Sequence, residues 1–124
     1  MNEHDMILYM AAYFDARGFI HLTEGSPGHR AQLRISITHQ IPDILYLFKK
    51  RYGCSVTKTG VSYMMQAISG KAETVLRELL PYLILKKDLV ECALEYQSLV
   101  GYRADDVVQA RDTILKTFRA LKEI

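Results

Sequence analysis

Tyr9-Met10-Ala11-Ala12-Tyr13-Phe14-Asp15-Ala16-Arg17-Gly18-Phe19-Ile20 is the stretch that decides the fold. Met6, Ile7, Met10, Ala11 and Phe14 recur at helical spacing, which predicts a helix over residues 5–15. Gly18 breaks that helix, and Phe19-Ile20-His21-Leu22-Thr23-Glu24 alternates as a strand. Close contact between helices needs short side chains, which Ala11 and Ala12 supply, and the turn into the strand calls for glycine at Gly18.

Downstream, Gly25-Ser26-Pro27-Gly28 is a turn cluster. A second strand follows with strict alternation: Leu33, Ile35 and Ile37 on one side, Gln32, Arg34, Ser36 and Thr38 on the other. One face is therefore buried, and the open one is polar and rich in hydrogen-bonding groups. Pro42 and Asp43 start a helix with the stripe Ile44, Leu45, Leu47, Phe48 and Tyr52, and Gly53 ends it. Residues 54–59 and 61–69 read as a second hairpin around Thr59-Gly60. Gly70 leads into a helix carrying Ala72, Val75, Leu76, Leu79 and Leu80, which Pro81 stops or re-aims. Helical stretches at about 87–100 and 104–122 close the chain, the last with Val107, Ile114, Leu115, Phe118 and Leu121 apolar. Two antiparallel hairpins interleaved with helices make an α+β domain.

At 124 residues the chain suits one domain able to bury a core without disulfides or metal. Hydrophobic residues at 49% and charged ones at 24% exclude a disordered chain. No apolar run approaches the roughly 20 residues that span a bilayer, and the polar start Met1-Asn2-Glu3-His4-Asp5 is unlike a signal peptide. The expected setting is cytoplasmic, with an organellar or phage-encoded origin also open and no membrane partner. Cys54 and Cys92 have no metal-ligand or redox spacing and read as two free thiols. The net charge of +2 says little, but its distribution says more. From His29 to Lys58 stand Arg30, Arg34, Lys49, Lys50, Arg51 and Lys58 against the single acid Asp43, a segment suited to tracking phosphates.

Read in register, Met10 to Gly18 resembles the signature motif of the LAGLIDADG homing endonucleases. Other segments share the resemblance in order. Leu33 to Thr38 and Ile44 to Gly53 look like the family's second strand and following helix, and Ile68-Ser69-Gly70-Lys71-Ala72 like its fourth strand entering a helix. Leu80-Pro81-Tyr82-Leu83-Ile84-Leu85-Lys86-Lys87 is similar to its Pro-Tyr-Leu-x-x-Lys-Lys segment. The resemblance covers about residues 6–97 of a single domain over 1–124, with a C-terminal helical extension over about 98–124. It implies an αββαββα domain with a four-stranded antiparallel saddle sheet and extra C-terminal helices. One motif copy implies half of a two-fold assembly, hence a homodimer on a near-palindromic duplex. Met10, Ala11, Ala12, Phe14 and Asp15 are the residues expected at its interface.

A saddle sheet of this family lies in the major groove, where outward side chains read base edges. The expected DNA contacts are His21 and Thr23, then Arg30, Gln32, Arg34, Ser36 and Thr38, then Ser55, Thr57, Lys58 and Thr59, and finally Tyr63 and Met65. Arg34 suits a guanine and Gln32 an adenine. Lys49, Lys50, Arg51 and Lys58 suit phosphates.

The chemistry departs from the family. Its metal-binding acid falls on Arg17, which offers five N–H donors, no acceptor and a permanent positive charge. Such a group cannot ligate Mg²⁺ and suits a backbone phosphate instead. Asp15 is the one carboxylate nearby for a metal, although two residues earlier on a helix is a rotation of about 200°. The resemblance implies Lys86 as a basic residue near the reacting phosphate and His39 near a water-orienting position. The sequence thus predicts sequence-specific binding of double-stranded DNA, needing no cofactor, with cleavage impaired or absent. An active Mg²⁺-dependent endonuclease of a mobile element is the alternative, and an RNA splicing cofactor is a third reading that no residue supports.

Overall fold

Helix α1 (Glu3–Arg17) starts where the Asn2 side-chain oxygen accepts from the Asp5 amide at 2.8 Å. That bond satisfies one of the orphan donors of the first turn. Glu3 and Asp5 at the start and Arg17 at the end complement the helix dipole. At the exit, Gly18 has an ordinary φ of −74°, so conformational freedom is not what requires glycine. Space is: a Cβ there would lie 2.4 Å from Phe14 Cδ2 and 2.7 Å from the Phe14 carbonyl oxygen.

The computed structural model describes residues 2–23, 32–99 and 105–122. The expected turn at 25–28 and Arg30 lie outside the described residues. After α1 come β1 (Phe19–Thr23), β2 (Gln32–His39), α2 (Asp43–Tyr52), β3 (Ser55–Thr59), β4 (Ser62–Ile68) and α3 (Ser69–Leu79). A 3-10 turn at Leu80–Tyr82, α4 (Lys87–Ser98) and α5 (Asp105–Lys122) complete the order. Every strand pairing is antiparallel and the sheet runs β1-β2-β4-β3, so the two hairpins join along β2 and β4. This is the expected αββαββα arrangement with helices added after it.

Alternation on β2 sets the layers. Leu33, Ile35 and Ile37 are fully buried and share one core cluster with Met10, Phe14, Leu45, Phe48, Met65, Leu76 and Leu79. Each such side chain contributes on the order of 1.5–3 kcal/mol by leaving water. The helices cover that face; the other stays open. α5 adds Ile114 and Phe118 to the core, and the Cys92 thiol donates to the Ile114 carbonyl at 3.4 Å. The last helix therefore covers the domain. Both cysteines are buried free thiols, and burial raises the pKa of each. Among the described residues no helix is long and apolar enough to cross a membrane.

Two backbone positions are left-handed for a reason. Gly53 at φ +75° ends α2, its amide donating to the Lys49 carbonyl at 2.8 Å. Gly60 at φ +64° opens the two-residue turn that pairs Thr59 with Ser62. A third, Ser69 at the start of α3, holds φ +52° with a side chain, a conformation L residues rarely adopt.

Candidate nucleic-acid interface

The pairing register assigns each strand residue to a face. Phe19 opposes Ser36 and His21 opposes Arg34, while Thr23 opposes Gln32. Across β2 and β4, Arg34 faces Ile68, Ser36 faces Gln66 and Thr38 faces Met64. Ser55, Thr57 and Thr59 then oppose Gln66, Met64 and Ser62. Apart from Thr23, placed here by its backbone pairing alone, these residues alternate with the buried set and carry the open face. His21, Gln32, Arg34, Ser36, Thr38, Ser55, Thr57 and Thr59 stand where the sequence places them; Thr23 shares their backbone register.

Strand β4 corrects the expectation. Tyr63 and Met65 lie in the core phase: Met65 pairs with Ile37 and is fully buried, and Tyr63 packs against the core cluster. Lys58 pairs with Tyr63, and its Nζ sits 5.9 Å from that ring's centroid, so it too belongs to the inner phase at the strand's end. Met64, Gln66 and Ile68 take their places on the open face, joined by Phe19, which is 55% exposed. The alternation Tyr63, Met65, Ala67 competes with Met64, Gln66, Ile68, and both phases are largely apolar. Only Gln66 marked the outer one.

Polar contacts hold the open face in place. With the Gln66 amide oxygen turned to it, Arg34 donates from Nε and Nη1, both at 3.3 Å. Gln32 Nε2 donates to Ser69 Oγ at 3.5 Å, and Ser55 Oγ to the Gln66 carbonyl at 3.2 Å. His21 Nδ1 lies 3.1 Å from Lys122 Nζ at the end of α5. Burial first, then the charges of Lys122 and Arg34, lower the His21 pKa below the usual imidazole range.

Beside the sheet, Arg17, Thr38, His39, Gln40 and Ser62 line an open cavity of about 350 Å³. Arg17 and His39 thus line the same cavity. The His39 ring is edge-on to Tyr13 at 5.8 Å, and its Nδ1 closes a turn on Ile41, 2.9 Å from the amide and 3.1 Å from the carbonyl oxygen. Tyr13 Oη is buried without a hydrogen-bond partner among the described residues. Burial raises the Tyr13 pKa against the opposing pull of Arg17, so it stands as a neutral phenol.

Asp15 and Lys86 do something else. Asp15 is 8% exposed, and its carboxylate accepts from the amides of Ile84 (3.1 Å), Leu85 (2.9 Å) and Lys86 (2.8 Å). Lys86 Nζ donates back to the Asp15 carbonyl at 2.7 Å. Burial alone would raise the Asp15 pKa; the amides of Leu85, Lys86 and Ile84 and the Lys86 charge outweigh it, and the net shift is downward. The expected metal ligand is therefore a clamp joining the end of α1 to the start of α4. Lys86 caps the α1 terminus two residues from Arg17, with its ammonium on a backbone carbonyl.

The residues expected at a dimer interface divide in the same way. Met10, Ala11 and Phe14 are fully buried inside the domain, and Asp15 faces inward. Helical geometry puts Ala12 outward, and Leu8 (38% exposed), Tyr9 (50%) and Ala16 share its side. Near the same helix end Ile84 and Leu85 are 83% and 77% exposed. Arg51, taken as a phosphate contact, is instead paired with Glu3 at 2.8 Å and with Glu78. Lys49 and Lys50 are exposed on α2, in the helical layer.

No family model matches the sequence, and no curated protein matches it either. Solved structures do match. The homing endonuclease I-CvuI, in complex with its target, superposes with a TM-score of 0.80 at 21% identity over 97% of this chain and 85% of its own. The archaeal intron-encoded homing endonuclease I-Vdi141I, complexed with DNA, gives 0.82 at 14% identity over 97% and 86%. The LAGLIDADG homing endonuclease I-GzeII, with its DNA target, gives 0.69 at 17% identity over 93% of this chain but 43% of that longer one.

Proposed function

We propose that this chain, which carries the LAGLIDADG homing-endonuclease fold, binds double-stranded DNA sequence-specifically as a homodimer on near-palindromic sites, with Mg²⁺-dependent cleavage impaired or absent. The observation that carries the reading is the Arg17 cavity. Among the described residues it is lined by a guanidinium, two hydroxyl residues, an imidazole and an amide, and by no carboxylate. Mg²⁺ prefers hard oxygen ligands and is usually held through one or two carboxylates. Asp15, two residues before Arg17 in the chain, has its oxygens on backbone amides. Among the described residues no group of three or more His, Cys, Asp or Glu is placed to hold a metal. The residues present do not fit Mg²⁺.

What they fit is a phosphodiester. Arg17 supplies charge-assisted N–H donors, and Thr38 and Ser62 add hydroxyl donors around the same space. A phosphate held so is anchored without an activated water. The open sheet face then reads bases through Gln32, Arg34, Ser36, Thr38 and Gln66. Support for the dimer comes from the match to 43% of I-GzeII, the size of one half, and from the exposed stripe of Leu8, Tyr9, Ala12 and Ala16. The short Ala12 and Ala16 side chains let two such helices approach closely.

The test compares the unaltered protein with Arg17→Asp on a randomised near-palindromic duplex library, with and without Mg²⁺, after sedimentation equilibrium has measured the assembly. The expected result is binding by both proteins and cutting only by Arg17→Asp. Cutting by the unaltered protein would overturn the reading and favour the active nuclease. A monomer that binds no duplex would remove its first half.

A further inference from the structure

Resting on that reading of the open face, we propose that Lys122 is a positioning residue that fixes the tautomer of His21, making His21 a hydrogen-bond donor that reads an acceptor edge in each half-site. The two residues are 101 positions apart in the chain, yet Lys122 Nζ and His21 Nδ1 are 3.1 Å apart. An ammonium has three donors and no acceptor. At that distance Nδ1 must present its lone pair, so the neutral ring carries its proton on Nε2, the nitrogen away from Lys122.

Three further contacts pre-organise the pair. The Phe118 ring, buried one turn earlier on α5, lies 5.7 Å from Lys122 Nζ. Phe19 stacks parallel to the His21 ring at 6.3 Å with 7° between planes, which sets the ring's plane. Arg34 stands opposite His21 across β1 and β2. With cationic Lys122 from α5 and Arg34 from β2 beside it, the ring stays neutral, and a neutral ring of one tautomer is selective in a way a mixture is not. A lone N–H donor on this face donates to guanine O6 or N7, adenine N7 or thymine O4, and meets only another donor in the cytosine amino group. Guanine offers two acceptors side by side, so the preferred partner is a G·C pair read from its purine. α5 thereby acquires a role in recognition besides covering the core.

The experiment has two readouts on the same proteins. Ring ¹⁵N spectra of the free unaltered protein are expected to show His21 protonated on Nε2, with Lys122→Met giving a tautomer mixture and Lys122→Arg, another pure donor, restoring the single form. Lys122 is exposed at the end of α5 and methionine is of similar length, so the buried Phe118 and Ile114 that hold α5 to the core are left in place. Binding is then measured on the duplex selected by the unaltered protein and on each single base-pair change. Lys122→Met should relax the preference at one pair per half-site by about three- to tenfold, the value of one net hydrogen bond, and His21→Ala should relax the same pair. A uniform loss of affinity across all sequences would make Lys122 a phosphate contact and overturn the inference. So would an unchanged preference in His21→Ala. Failure of the unaltered protein to bind any duplex would sink the DNA reading and this inference together, whereas binding with unchanged preferences would sink this inference alone.

Discussion

Replacing Asp15 with asparagine keeps the shape of the side chain and removes one acceptor and a charge. Oδ2 serves Ile84 and Leu85, and Oδ1 serves Lys86. The single asparagine oxygen would stay with the two donors, and its NH₂ would then face the Lys86 amide, donor against donor. The loss comprises one charge-assisted bond of about 1.5–3 kcal/mol and the helix–anion attraction at the α4 start of about 0.3–1 kcal/mol. Asp15→Asn should therefore destabilise the protein by about 2–4 kcal/mol at neutral pH. With a urea slope of roughly 1–3 kcal/mol/M, the midpoint falls by on the order of 1–2 M. Circular dichroism at fixed protein concentration measures it, since the stability of the proposed dimer would depend on concentration. The pH dependence has a definite sign. The folded-state pKa of Asp15 is lowered, so its contribution is complete above the ordinary carboxylate range and is lost as pH falls through the depressed folded value. The gap between the two proteins should narrow in acid. A neutral-pH difference below about 0.5 kcal/mol, the scatter of ordinary surface changes, would refute the clamp and return Asp15 to candidacy as a ligand.

Gly18→Ala should destabilise by about 1–3 kcal/mol, the cost of overpacking, because its Cβ would meet the Phe14 carbonyl at 2.7 Å, and thermal unfolding reads the loss. Ser69→Gly should stabilise by about 1 kcal/mol through relief of the left-handed serine, partly offset where Gln32 loses the Ser69 hydroxyl; an unchanged or lower melting temperature would count against strain at φ +52°.

Much of the architecture was legible because some segments permit only one reading. Leu33, Ile35 and Ile37 alternate with four polar residues, so β2 could bury only one face. Arg17 was equally plain, since no fold can turn a guanidinium into an oxygen ligand. Where both faces of an element were apolar, the one-dimensional pattern lost its meaning. Helix α1 has Met10 and Phe14 on one side and Leu8 and Tyr9 on the other, and only packing shows that the first pair is internal. In β4 the choice between Met64 and Met65 depended on the Gly60-Val61 turn, since shifting the register by one residue flips every side chain.

By itself, then, the sequence determined which elements form, how they follow one another and what Arg17 cannot do, because propensity, periodicity and side-chain chemistry are local properties. The tertiary structure alone decided which carboxylate serves the backbone, which methionine faces outward and which lysine meets His21. Asp15 bonds amides 69 to 71 residues away, and Lys122 reaches back 101. Such partners are chosen by how the helices pack on one face of the sheet, and no local pattern encodes that geometry.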